Sequence, residues 1–162
     1  MNPLNLSGKR VLLTQANDFM GPALHEVFKE LGATVIADTG PLDDPNRPSA
    51  LISEAGHVDV LLANLGIPAS STLATDATDE EWRAAFGHMV DPLHRLVKAV
   101  LPQMTARGNG KIILMGSASA LRGIKRSSTY SAARGAQLAY IQSVGVEVAN
   151  KRVQVNAIAQ NY

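Results

Sequence analysis

Apolar runs rich in leucine or β-branched residues recur along the chain, separated by longer stretches of mixed polarity. They are RVLLT (10–14), ATVIAD (33–38), VDVLLAN (58–64), KIILMG (111–116) and VQVNAIA (153–159). Each is apolar almost throughout rather than alternating, which is the pattern of strands covered by helices on both faces. The segments at 21–31, 48–56, 79–107 and 128–150 carry helical patterns. The third begins after Thr78 with Asp79, Glu80 and Glu81 in its first turn, where acidic side chains meet the positive end of the helix. Strict alternation of strand and helix predicts right-handed crossovers and an α/β fold, a Rossmann-like doubly wound parallel sheet with helices on both faces. The stretch GPLDDPNRPS (40–49) reads as a surface turn before a short helix.

A chain of 162 residues fits one domain with a real core. It stops at Tyr162, directly after a strand, where the ligand loops of such sheets normally begin. The expectation is therefore a single domain over 1–162, cut short after the sixth strand position with its C-terminal part missing. Fifteen basic against fourteen acidic residues give a net charge of +1, no footprint for a phosphate backbone, so nucleic acid is not an expected partner. The absence of cysteine excludes disulfides and thiolate metal sites and suits a reducing compartment. There is no apolar run of the ~20 residues that span a bilayer, and the first residues lack the pattern of a secretory signal. A cytoplasmic protein without membrane partners is expected. His25, His57, His88 and His94 show no ligand spacing, so no metal site is expected; His88 and His94 read as helix-surface or interface residues.

Candidate chemistry concentrates in SASALRGIKRSSTYSAAR (117–134). Ser117 follows a strand, and Tyr130 comes thirteen positions later at the start of a long helix. That spacing lets two hydroxyls meet at the carboxyl edge of the sheet, the usual ligand crevice. Arg134 lies one helical turn beyond Tyr130, on the same face. A Tyr-x-x-x-Arg pair alone is commonly a solvated surface contact; with Ser117 and the strand context it reads as catalytic. Arginine does not readily lose its proton, so it can act only as a permanent cation and donor that stabilises the Tyr130 phenolate. Tyr130 is then the candidate general base.

The first strand-to-helix turn reads Thr14-Gln15-Ala16-Asn17-Asp18-Phe19-Met20-Gly21. It resembles the turn of the short-chain dehydrogenase/reductase superfamily, which normally carries three glycines; here only Gly21 remains, with Gln15 and Phe19 in the other places. The Phe19 ring is expected to fill space that a dinucleotide's phosphates need. Asp38 closes the second strand, where a carboxylate could bind ribose hydroxyls, although such an aspartate is more often a turn former or cap. The superfamily's tyrosine partner is lysine, and its proton relay is completed by a helix asparagine thirteen residues before a proline. Pro102 and Met89 occupy those two positions here.

Ser117, Tyr130 and Arg134, with Thr14, Phe19 and Gly21 in the turn, resemble the halohydrin dehalogenases. This resemblance covers essentially the whole chain. It implies a carbon-halide lyase with no cofactor, in which the tyrosine deprotonates a vicinal haloalcohol and the alkoxide displaces halide to give an epoxide. The reverse reaction opens epoxides with small anions. Backside displacement requires a halide pocket facing the triad across the substrate. Phe19 is expected to supply one wall through its positive ring edge. By resemblance, Gln160, Asn161 and Tyr162 supply the other, with Gln160 where many dehalogenases keep proline. Ser117 would orient the substrate oxygen, while Ser119 is expected to bond locally. Apolar positions on the long helices (Leu96, Val97, Val100, Leu101, Leu138, Ile141, Val144 and Val148) exceed what one sheet face needs and suggest a self-complementary interface. The resemblance likewise implies a homotetramer. Two alternatives stay open: an NAD(P)-dependent oxidoreductase with an unusual triad, and a non-catalytic Rossmann-like oligomerisation module.

Overall fold

The computed structural model describes residues 5–161. Five parallel strands form one sheet: β1 (Arg10–Leu13), β2 (Thr34–Ala37), β3 (Val60–Ala63), β4 (Gly110–Ser117) and β5 (Val153–Gln160), in the order β2-β1-β3-β4-β5. The helices are α1 (Gly21–Glu30), α2 (Arg47–Ala55), α3 (Asp79–Arg107) and α4 (Ser128–Glu147). In a dinucleotide-binding sheet a further strand lies outside the second. Here β2 is the edge among the described residues, and the turn at 40–49 and α2 lead the chain directly across to β3. β5 therefore stands where such a sheet places its sixth strand.

Two cores explain the apolar strands. Leu12, Leu61, Ile112 and Leu114 face α2, α3 and α4, while Val11, Leu13, Val60 and Leu62 face Leu24 and Phe28 of α1. Alternate residues of one strand thus enter opposite layers, leaving few positions for polar side chains. The expected elements are present, with short differences at their ends. β3 begins late because the Val58 N–H goes to the Gln103 side chain at 3.0 Å, and it ends early because Asn64 N–H turns back to the Leu62 carbonyl at 3.0 Å. Thr78 caps α3 by accepting from Glu81 N–H at 3.2 Å, and Gly108 ends that helix with φ +61.

The expected apolar surplus on α3 and α4 is a correction. Leu96, Val97, Val100, Ile141, Val144 and Val148 are buried in the chain's own core, because α3 and α4 lie side by side on one sheet face and cover each other as well as the strands. Leu101 and Leu138 are half-buried, which leaves Val146 as the prominently exposed apolar side chain of α4. Among the described residues, no helix is long and apolar enough to cross a membrane.

Candidate active site

The order of the strands reverses direction between β1 and β3, and the loops leaving their carboxyl ends form the crevice where ligands of such sheets bind. The turn after β1 is tied to the loop after β3 from both sides. Buried Thr14 donates its hydroxyl to Asn64 O at 3.1 Å, and Asn64 Nδ2 donates to the carbonyls of Gln15 and Asp18, each at 2.9 Å. Gln15 clamps Gly66 with its side-chain amide: Gly66 N–H donates to Oε1 at 2.8 Å and Nε2 donates to Gly66 O at 3.3 Å. Gln15 and Phe19 have φ of +45 and +51, so both have kept the left-handed backbone that glycine would adopt freely. Phe19 is about half exposed, and its ring edge lies over Gly66, where an added Cβ would come within 3.3 Å of Cε2.

The chemistry-bearing residues come from β4, α4 and β5. Ser117 is the last residue of β4 and pairs in register with Gln160, the last of β5. The Ser117 oxygen accepts from Ser119 N–H at 3.2 Å and from the Ser119 hydroxyl at 3.0 Å. Two donors on that oxygen leave the Ser117 proton available for an incoming group. Ser119 is buried and bonds locally, as its position suggested.

On α4, Arg134 Nε donates to Tyr130 Oη at 3.0 Å. Arg134 is 7% exposed, and its Nη1 donates to Leu65 O (2.8 Å), Met115 O (3.2 Å) and Gln137 Oε1 (3.0 Å). All four acceptors are uncharged. Arg134 is thus fixed against the ends of β3 and β4 while its charge is directed at the phenolic oxygen.

A cavity of about 290 Å³ opens where these groups converge, lined by Phe19, Ser117, Tyr130, Arg134 and Gln160 with Ile67, Pro68 and Met115 as apolar walls. Five of the expected site residues therefore meet. Asn161 does not line the cavity: it is exposed, and its Oδ1 accepts from Arg122 at 2.5 Å as the chain leaves β5. The side chain of Gln160 does reach inward, donating Nε2 to the Met20 sulfur at 3.0 Å. Tyr162 lies outside the described residues.

With this geometry in place, comparison with known proteins is decisive at the family level. The short chain dehydrogenase family profile matches residues 3–162. The chain belongs to the short-chain dehydrogenase family. It is 30% identical to the 3-oxoacyl-[acyl-carrier-protein] reductase FabG of Vibrio harveyi, over 98% of this chain and 75% of that one. The FabG reductase of Escherichia coli strain K12 is 27% identical with the same coverage. A solved structure named "Dehalogenation enzyme" superposes with a TM-score of 0.89 at 29% identity, over 97% of this chain and 73% of that chain.

Gln15 and Phe19 of the first turn do not fit the pyrophosphate of a nicotinamide dinucleotide, the cofactor that the dehydrogenase family implies. Its pyrophosphate needs a glycine turn that lets backbone amides approach. Gln15 instead spans the groove to Gly66, and the Phe19 ring lies over the same glycine. Asp38, the candidate ribose ligand, is buried with Oδ1 held by Arg47 Nη2 at 2.9 Å and Oδ2 without a hydrogen-bond partner, so the misfit lies in the turn and not at Asp38.

Reading the sequence missed Asn64, Gln15 as a clamp, and Gln137. Gln137 is fully buried, yet it lies in the stripe of Ala133, Ile141 and Val144 that α4 turns to the core. A polar residue in an apolar stripe signals a buried partner, and that signal was available.

Proposed function

We propose that this chain is a halohydrin dehalogenase, with Tyr130 as the base, Ser117 orienting the substrate oxygen, and Arg134 stabilising the phenolate. The observation that carries this reading is the single cavity in which the Tyr130/Arg134 pair faces Phe19 from the former glycine turn. The similarity to the structure named "Dehalogenation enzyme" supports it. The substrate hydroxyl enters beside Ser117 and gives its proton to the Tyr130 phenolate. The resulting alkoxide attacks the neighbouring carbon; the C–O bond forms as the C–halogen bond breaks, and the bonding pair leaves with the halide. The tyrosine proton then passes to solvent. Phe19 and Gln160 line the side of the cavity proposed to receive the halide, and the ring edge and side-chain amide both present positive partial charge to an anion. Epoxide opening by small anions is the same path reversed. No step requires a cofactor.

A second reading, reduction by a nicotinamide cofactor, is favoured by the FabG reductases among the relatives and shares Ser117 and Tyr130. The separating experiment follows chloride release and epoxide formation from 1,3-dichloro-2-propanol. The protein releases chloride, and Tyr130→Phe lowers the rate by about a hundredfold or more, as expected for loss of a general base. Calorimetry with NADH and NADPH shows no saturable heat. Micromolar binding of either nucleotide, with no halide released from any vicinal haloalcohol, would replace the first reading with the second.

A further inference from the structure

Arg134 is a buried cation of unusual surroundings. None of the ion pairs among the described residues includes it. Its side-chain acceptors are one phenol and one amide, and the amide belongs to Gln137, one helical turn further along α4. Gln137 is fully buried and both ends of its amide are engaged: Oε1 accepts from Arg134 Nη1 at 3.0 Å, and Nε2 donates to Met89 O on α3 at 2.7 Å. That second bond fixes which way the amide points. Reversing it would set NH₂ against the guanidinium and oxygen against the Met89 carbonyl, so both contacts would repel.

The Met89 carbonyl lies in the stretch of α3 that approaches Pro92, where a missing N–H leaves the His88 carbonyl without its helical donor. The Met89 side chain packs with Ala85 and Ala133 and offers no polar atom but its sulfur. A side chain of α4 therefore reaches across to the α3 backbone. Chemistry explains the choice of an amide over a carboxylate. A glutamate at 137 would still accept from the guanidinium, but it would cancel its charge at a site too dry to screen the pairing and would set an oxygen against the Met89 carbonyl in place of the N–H donor. A neutral acceptor restrains Arg134 and leaves its whole charge for Tyr130.

We infer that Gln137 is a positioning residue for the Tyr130/Arg134 pair: its amide, oriented by the Met89 carbonyl, holds the guanidinium without neutralising it. This rests on the reading of Tyr130 as the base, and the test separates the two. Gln137→Met keeps the length without a comparable acceptor; Gln137→Glu keeps the acceptor but adds charge. With 1,3-dichloro-2-propanol, Gln137→Met lowers kcat about tenfold with KM within about twofold, the scale of one hydrogen bond to a charged group. Gln137→Glu lowers kcat further, even though it still binds Arg134. A purely structural glutamine would give the opposite pattern: lower melting temperatures with kcat within about twofold in both variants, which overturns the inference. Should Gln137→Met fail to fold, Gln137→Glu carries the test. If the parent protein releases no halide at all, the proposed function fails and the inference is read spectroscopically. The Arg134 Nε–H signal of ¹⁵N-labelled protein then exchanges with water faster in Gln137→Met than in the parent; unchanged exchange overturns it.

Discussion

The turn after β1 and the turn after β4 stand on the same edge of the sheet and are built on different principles. The first keeps a glycine backbone without the glycines: Gln15 and Phe19 hold positive φ, and the side chains they add close the groove over Gly66. The second places its polar groups on regular elements, Ser117 at a strand end and Tyr130 and Arg134 one helical turn apart. Backbone shape defines one region and side-chain placement the other. A loop can thus alter the space beside it while its path stays fixed, whereas side chains on a strand end and a helix point where those elements aim them.

The strongest test of the fixed path is Gly21→Ala. A Cβ there would lie 2.4 Å from Gln15 O and 2.5 Å from Ala16 O, and both atoms are backbone. No rotamer relieves that overlap, so the loss is about 3 kcal/mol or more, a fall in Tm of roughly 6–12 °C for a domain of this size. A melting curve within about 2 °C of the parent would mean that the turn is not held in this path.

Arg134→Lys probes the second region. Lysine has one nitrogen where arginine places Nε on Tyr130 and Nη1 on three acceptors, so it cannot satisfy both sets. Leu65 O, Met115 O or Gln137 Oε1 is left unpaired at a cost of about 1–3 kcal/mol per group. For the proposed dehalogenation the expected rate falls by about a hundredfold, and Tm falls with it. Activity within about threefold of the parent would show that a cation at 134 suffices without the guanidinium's fork.

How far these regions were legible in the sequence follows from the same contrast. The strands read correctly because burial on two faces leaves an apolar run, and α3 because Thr78 and three acidic residues mark its start. That Ser117, Tyr130 and Arg134 come together was legible because their spacing is set by regular elements. The direction of the Asn161 side chain was not legible: a residue leaving β5 is placed by its own contacts, here with Arg122. The helix surplus misled because composition counts apolar residues without saying which neighbour covers them. Gln15 looked like mere glycine loss, since its role depends on Gly66, which lies 51 positions away and meets it only through the fold.

Gly66→Ala couples the two regions. An added Cβ would sit 2.7 Å from Arg134 Nη2 and 3.3 Å from Phe19 Cε2, so the guanidinium must shift while the ring need give only slightly. The guanidinium is held by four hydrogen bonds, one of them to Tyr130, so its displacement strains that set. For the proposed dehalogenation the expected result is a kcat about tenfold lower with a Tm lower by a few degrees, because a shifted guanidinium misplaces the tyrosine it holds. Unchanged kinetics would mean that the position of the guanidinium does not set the rate.

The smallest effect separates backbone from side chain within the first region. Gln15→Ala loses both bonds to Gly66 but keeps a Cβ at φ +45, so strain remains without its compensation. Gln15→Gly loses the same bonds and removes the strain, worth about 1–2 kcal/mol for a residue in the left-handed region, while gaining freedom in the unfolded chain. The glycine variant should therefore be more stable than the alanine variant by roughly 1 kcal/mol, a difference of about 2–4 °C in Tm. Equal melting of the two would mean that the turn relaxes once the clamp is cut, and that the glutamine's bonds to Gly66, rather than the chain path, impose the positive φ.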